Sequence, residues 1–359
     1  MKMNERGSAM IMVAICLLAI IAIAGVAIDS AVMVTTRTQL QNAADAAALA
    51  GASGLLEGDQ DTAIARAISY ASFNGAMLDS GAAPVVITED DVTFPEADIC
   101  RVVTHRTAAT GDGVRVFFRR VVDPILGNRA DVTAVAAAQA FDICSSRCMK
   151  PWCIPDRWDD TNGNSRYDAG EPYDPNTTGY TAPNDVGLQV TLKVGDPQQA
   201  LVPSCYFAVC FPPIGSDQGD PLTGGNYYRQ WIAECCPYLI EIGDRLLTEP
   251  GNLVGPTRQG VQDLIAQDPG AHWDSSTQSV VGSAFGRSPR VILVPMFDPT
   301  LGPNPGRNEA TVTKIGAFFL EGTAQQGGIV GRYMETGSTG APCEGGLGGG
   351  LVKGIALIE

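Results

Sequence analysis

The stretch from Ser8 to Leu55 constrains the rest of the chain more than any other feature. Ser8 to Ile28 is apolar apart from Ser8. At about 1.5 Å of helical rise per residue it covers roughly 30 Å, the hydrocarbon thickness of a bilayer. The segment runs on past Asp29 to Leu55 without a proline. Beyond Asp29, Ala43, Ala47 and Gly51 recur at helical spacing, with Ala44, Ala48 and Ala52 beside them. Such stripes of small residues let another backbone come close, which suits a packing helix and self-association through it.

The residues before the span include Lys2 and Arg6 against Glu5. The positive-inside rule keeps this tip in the cytoplasm and exports the bulk of the chain to the periplasm or cell envelope, held at the inner membrane by one pass. A cleaved signal peptide is the competing reading, with Ala22-Ile23-Ala24 as the small-residue site. The apolar run is longer than a signal h-region, which favours a retained anchor. Cys16 follows Ala14-Ile15, which is not a lipobox. The net charge is −15, so the chain has no electrostatic footprint for nucleic acid. An acidic exported part is repelled by anionic lipid, so membrane contact is expected only through residues 8–28.

Three features resemble the N-terminal segment of Tad-type (TadG-like) proteins of Flp pilus, or tight-adherence, systems. They are Arg6-Gly7 before the span, Ile28-Asp29 at its exit, and LQNAADAAALAGA from Leu40 to Ala52, the most specific of the three. A prepilin-type cut after Gly7 would put Met12 where prepilin-like proteins carry Glu, a departure that argues against pilin processing. Val114 to Gly127, with Phe117-Phe118 and Ile125-Leu126-Gly127, resembles the same family. The resemblance implies a minor-pilin-like or assembly role, with partners among pilus-assembly or secretion-channel proteins.

After a break at Glu57-Gly58, Asp59 or Asp61 can cap a second helix through TAIARAISYASFNG, stopped at Asn74-Gly75. Ala63, Ala67, Tyr70 and Ala71 give it an apolar face to fold back on the small-residue stripe. From Pro84 the pattern turns to short β-branched runs: VVIT, CRVVTH, GVRVFFRRVV and ADVTAVAAAQAF, with Gly111-Asp112-Gly113 as a hairpin turn. Residues 29–142 therefore read as a helical hairpin on a small antiparallel sheet. The fold class is α+β: a transmembrane helix (1–28), that pilin-like region, a Cys-rich connector (143–185), and a mixed, mostly antiparallel α+β domain (186–359).

The connector carries the sharpest chemical motif, DTNGNSRYDAGE from Asp160 to Glu171. An EF-hand calcium loop of about twelve residues takes oxygens from positions 1, 3, 5, 7, 9 and 12, and calcium wants roughly six to eight of them. Asp160, Asn162, Asn164, Asp168 and Glu171 supply side chains in that pattern, and Arg166 supplies its backbone carbonyl. Ser165 stands where the motif has Gly, and Pro155 leaves no helix ahead of the loop. The expectation is a dockerin-like or isolated loop binding structural Ca²⁺, with Asp174 as a further ligand. The alternative is an Asx-rich surface turn held by its own side chains.

The chain has ten cysteines. Setting Cys16 aside leaves an odd number, expected to be mostly disulfides in an oxidising envelope. The adjacent Cys235 and Cys236 should each pair elsewhere, with the 205/210 group or the 144/148/153 group as candidates. Zinc held by Cys144, Cys148, Cys153 and another cysteine is the rival reading, against which stand the spacing and the lack of a nearby histidine.

In the last domain, strands are expected at Val186–Val194, Val202–Phe211, Val291–Met296, Ala310–Leu320, Gly328–Met334 and Gly354–Ile358. Helices are expected at Tyr227–Cys236 and after Gly255-Pro256-Thr257, ending at Asp268-Pro269. EPGNLVGPTRQGVQDLIAQDPGAHW and SPRVILVPMFDP resemble segments of longer Tad-family proteins. Asp274-Ser275-Ser276-Thr277-Gln278 fails the DxSxS metal motif, and Gly345 to Gly354 fails the phosphate-loop spacing. His105 and His272 have no visible catalytic partners. The expected function is a non-enzymatic, membrane-anchored component of a Tad/Flp pilus machine. A calcium-stabilised adhesin or binding module delivered by that system is the alternative, and an envelope hydrolase a weaker third reading.

Overall fold

The computed structural model describes residues 5–56, 59–78, 81–109, 111–118, 128–181, 184–195, 206–302, 308–324, 327–338, 340–343 and 352–358. The Glu57-Gly58 break, Ile125-Leu126-Gly127, Cys205 and most of Gly345 to Gly354 lie outside these residues. The chain divides into two compact units, residues 1–140 with 355–359, and residues 141–354.

The first unit is built on α1, Glu5–Leu55, a single helix of 51 residues. With no Pro to break it, it extends over roughly 75 Å. Helix α2, Gln60–Ser72, folds back on it. The Asp59 carboxylate caps α2, accepting from the N–H groups of Asp61 and Thr62 at 3.1 Å each. Ala63, Ala67 and Ala71 are fully buried and meet the equally buried Ala43, Ala44, Ala47, Ala48 and Ala52 side of α1. A Cβ added at Gly54 would lie 2.5 Å from the Ala63 Cα, so the absence of a side chain sets the interhelical distance there.

Strands β1 (Gly75–Leu78) and β2 (Gly81–Pro84) form a hairpin straight after α2. Then come β3 (Val92–Thr93), β4 (Ile99–Arg106), β5 (Val114–Arg115), β6 (Arg129–Ala130) and β7 (Val132–Asp142). In β4 burial alternates residue by residue, so Cys100, Val102, Thr104 and Arg106 face inward, toward α1. The Thr104 hydroxyl donates to the Leu40 carbonyl at 2.9 Å, and Gln41 donates to the Val135 carbonyl at 2.9 Å. These bonds fix the sheet to the helix.

Two local expectations are corrected. VVIT (85–88) joins no strand ladder, and the GAML/GAAP hairpin before it takes the place of the first strand pair. Gly111-Asp112-Gly113 does turn the chain, yet β4 and β5 do not pair across it. Strand β4 pairs antiparallel with the distant β7, from Ile99↔Gln139 to Arg106↔Val132, and β5 pairs with β6.

The second unit centres on a five-stranded sheet. Its strands are β8 (Ile154–Pro155), β9 (Gln189–Lys193), β10 (Val291–Phe297), β11 (Lys314–Thr323) and β12 (Ile329–Met334), in the order β9-β12-β11-β10-β8. All pairings but β8 with β10 are antiparallel. Strand β10 reads as an almost continuous apolar run because both its faces are covered. The expected strand Ala310–Leu320 is split: Glu309–Thr311 joins a small sheet with Arg245–Thr248 and Val209–Cys210, and β11 begins at Lys314. Helices α3 (Gly225–Ala233) and α4 (Val254–Gln267) pack together, and a Cβ at Gly260 would lie 2.8 Å from the Ile232 Cβ.

Candidate functional site: the spanning helix and the Asp160–Glu171 loop

The first half of α1 has the character of a lipid-facing surface. Large side chains from Met10 (73% exposed) to Ile28 (51% exposed) are bare. This is the one helix among the described residues long and apolar enough to cross a membrane. The second half is the reverse. From Leu40 to Ala52 its small face is buried within the chain by α2 and β4. That stripe is therefore filled intramolecularly and is not a free face for self-association.

Asp29 stands where the two halves meet. It is 3% exposed, and its two side-chain oxygens accept the backbone N–H groups of Phe117 and Phe118 at 2.8 Å each. A carboxylate at the end of an apolar run is costly to bury unless it is hydrogen-bonded, and these two amides meet that need. The sequence marked Asp29 only as the end of the span. Its second role depends on a segment far away in the chain.

The Asp160–Glu171 loop curls around its own polar side chains. Asp160 Oδ1 accepts from Gly163 N–H at 2.8 Å and Asn164 N–H at 3.2 Å, and its Oδ2 accepts from Ser165 N–H at 2.7 Å. Asn162 Oδ1 accepts from Asn164 N–H at 3.0 Å, and Asn164 Oδ1 accepts from Arg166 N–H at 2.7 Å. Ser165 takes the left-handed conformation (φ 59°) that Gly supplies in the motif, so the curl survives the replacement at a backbone cost. Glu171 closes the loop, accepting from Thr161 N–H, Asp168 N–H and the Trp158 indole N–H at 3.0 to 3.1 Å.

The Nδ2 groups of Asn162 and Asn164 both donate to Asp168 Oδ2 at 2.7 Å and hold that carboxyl below its usual range. Two amide dipoles thus give Asp168 the positive partner that a cation would otherwise give. Among the described residues no group of three or more His, Cys, Asp or Glu side chains is arranged to hold a metal.

A residue the sequence reading missed ties down the connector. Asp156 is fully buried and pairs with Lys314 Nζ at 2.8 Å. It also accepts from Tyr180 N–H at 2.8 Å and the Tyr173 hydroxyl at 3.2 Å. Nothing in the local pattern around Pro155 distinguishes it from the other aspartates of this Asp-rich stretch. Beside the loop lies a cavity of about 380 Å³, walled by Trp158, Tyr180 and Phe207 together with Asn164, Gln189 and Thr191.

Among the described residues two disulfides are formed, Cys144–Cys343 and Cys148–Cys235. Both sulfurs that the zinc alternative most needed are thereby used. Cys236 is buried and stays a thiol, pushed up to about 11 by burial, as is Cys100 in the first unit. His105 lies 3.4 Å from Asp91 on the sheet. His272 is exposed on the hairpin of His272–Asp274 with Ser279–Val281, its Nδ1 3.0 Å from the Gly270 carbonyl. Asp274 of the failed metal motif accepts from Ser276 in a local turn.

Comparison with known families places the N-terminal part. Residues 7–54 match the family described as Tad, putative Flp pilus-assembly TadE/G-like. The matched segment coincides with the apolar half and the small-residue half of α1. No curated protein and no solved structure matches the chain.

Proposed function

We propose that this chain is a non-enzymatic, membrane-anchored component of a Tad/Flp tight-adherence pilus system, acting as a minor-pilin-like subunit or assembly factor. The observation that carries the reading is the coincidence of the pilus-assembly match at residues 7–54 with a helix whose large side chains are bare from Met10 to Ile28 and whose small-residue face is packed from Leu40 to Ala52. A helix built this way holds the folded part of the first unit on the outer side of the membrane, at a fixed distance from it. The N-terminus stays in the cytoplasm and the chain beyond the span lies in the periplasm or envelope, where the two disulfides would form and persist. Its partners are pilus-assembly or secretion-channel proteins.

The Asp160–Glu171 loop binds a structural calcium ion through Asp160, Asn162, Asn164, the Arg166 carbonyl, Asp168 and Glu171. Its support is the curl around Asp160 and the left-handed Ser165, which reproduce the turn an EF-hand loop requires. Binding would turn the Asn162 and Asn164 amides so that their oxygens replace their NH2 groups toward Asp168.

A second reading, a surface-binding module delivered by the same system, is favoured by one observation: the aromatic and amide-lined cavity beside that loop. Deleting the coding sequence from its own host and collecting sheared filaments tests the primary reading. It predicts loss of filaments, restored by the full-length chain. Normal filaments with impaired attachment would favour the binding module.

A further inference from the structure

At the exit of the span, a distant piece of chain is seated on the helix. Gly25 and Asp29 lie one helical turn apart on the same face of α1, and the backbone of residues 117–118 is clamped to that face. The two N–H groups bond to Asp29, and the Phe118 ring lies against Gly25, which is buried by it. A Cβ at Gly25 would collide with that ring, so the glycine makes the seat. Gly25 is roughly 6 Å nearer the middle of the span than Asp29, at about 1.5 Å of rise per residue. Phe118 therefore reaches down past the end of the apolar run. Phe117 beside it is 60% exposed, and on this stretch of α1 Ile23, Val26 and Ile28 are exposed as well.

We infer that Phe117 and Phe118 form an aromatic foot seated in the interfacial region of the leaflet where the helix leaves the membrane, a second contact with lipid besides the span. Three arguments support lipid as the occupant. The apolar surface of Phe117 is continuous with the bare apolar surface of the span. Phenyl rings at the level of the last turn of a span sit at the headgroup–acyl boundary, where interfacial helices bury Phe side chains. The polar backbone that a loop would expose at this depth is capped by the Asp29 carboxylate, which makes irregular backbone tolerable near hydrocarbon. The foot fixes the tilt and rotation of α1, and so the direction in which the first unit points. Repulsion of the acidic chain from anionic lipid does not oppose this contact, because the two phenyl rings carry no charge. The inference rests on the anchor reading of residues 8–28.

The test uses the full-length chain with Phe117→Trp, reconstituted in phosphatidylcholine vesicles with and without lipids brominated near the headgroup. The unmodified chain serves as the blank for its own four tryptophans. Phe73→Trp serves as a second variant, since Phe73 is exposed at the end of α2, where the returning chain reaches the level of Gln39, roughly 15 Å of helix beyond Asp29 at about 1.5 Å per residue. Flotation of the vesicles comes first, and failure of the chain to float overturns the anchor reading and this one with it. When it floats, the indole introduced at position 117 is expected to emit blue-shifted and to be quenched by the brominated lipid. The indole introduced at position 73 should be neither shifted nor quenched. A floated chain whose position-117 indole emits as in water overturns the aromatic foot and leaves the anchor intact. Equal quenching at position 73 overturns it too, since the whole first unit would then lie on the bilayer.

Discussion

The two units hold themselves together by opposite means. The first has Cys16 and Cys100 as its only cysteines, neither of them in a disulfide, and gains its cohesion from closeness. Alanines and glycines bring α2 and β4 against α1, and buried bonds such as Thr104 to Leu40 fix the register. The second unit is rich in loops, and its connector has few apolar residues to bury. It uses covalent ties across 199 and 87 residues of sequence, buried ion pairs such as Asp156 with Lys314, and side chains that satisfy backbone carbonyls. Arg290 donates to the carbonyls of Leu320 and Ala271 while stacking over Phe319. The lesson is that a stripe of small residues suffices where one long helix organises everything, whereas irregular chain needs point-by-point anchoring.

The contrast breaks most visibly under reduction. Removing both disulfides, by reductant or by Cys→Ala pairs, costs the second unit about 4–5 kcal/mol for each long loop opened. The first unit's transition should not move. Calorimetry with and without reductant reads both, and an equal shift of the two would contradict the division.

Gly54→Ala reverses a familiar sign. In an exposed helix the change is stabilising by about 1 kcal/mol. Here the new methyl meets the Ala63 backbone, and overpacking should instead cost about 1–3 kcal/mol. The shift should appear in the first unit's melting alone.

Calcium sharpens the comparison from the other side. If the loop binds at extracellular-module strength, roughly 10 mM calcium stabilises the second unit by about 1–3 kcal/mol. The gain should be absent with magnesium, in Glu171→Gln, and from the first unit's transition. Calorimetric scans in calcium and in chelator decide it.

The smallest effect concerns pH. Lys193 is fully buried, with Nζ donating to Asn252 Oδ1 at 2.7 Å, and burial pushes its pKa down to about 8. The unfolded chain therefore holds this proton more tightly, and the Lys193 contribution to stability rises with pH from about 8 to its unfolded value. Buried thiols such as Cys236 act the other way above their ordinary range. The Lys193 part is isolated by comparison with Lys193→Met. The stability of the native chain relative to that variant should climb by on the order of 1 kcal/mol across this range.

The long periodic elements were legible because their physics is local. The span, the Asp59 cap, β4, β7, α4 and β10 follow from apolar runs, alternation and a capping carboxylate. The GAML/GAAP hairpin was hidden because small residues carry little strand signal. The pairing of β4 with β7 rather than β5, the Cys148–Cys235 bond and the burial of Asp156 are long-range choices that no window of sequence contains. Asp29 was partly legible: its position at the span's exit could be read, but its partners at 117–118 could not. The Asp160–Glu171 loop stood out by spacing alone, and the structure adds how Asp160 shapes it.

The central claim is an uncut anchor with everything beyond the span outside the cytoplasm. Its most direct test is protease treatment of spheroplasts carrying the full-length chain, followed by alkaline carbonate extraction and comparison with sheared filaments and medium. The account predicts an intact chain that resists extraction, stays with the inner membrane, and loses everything beyond the span to protease added outside. A chain released by carbonate, found shortened in the medium, or protected from external protease would contradict it.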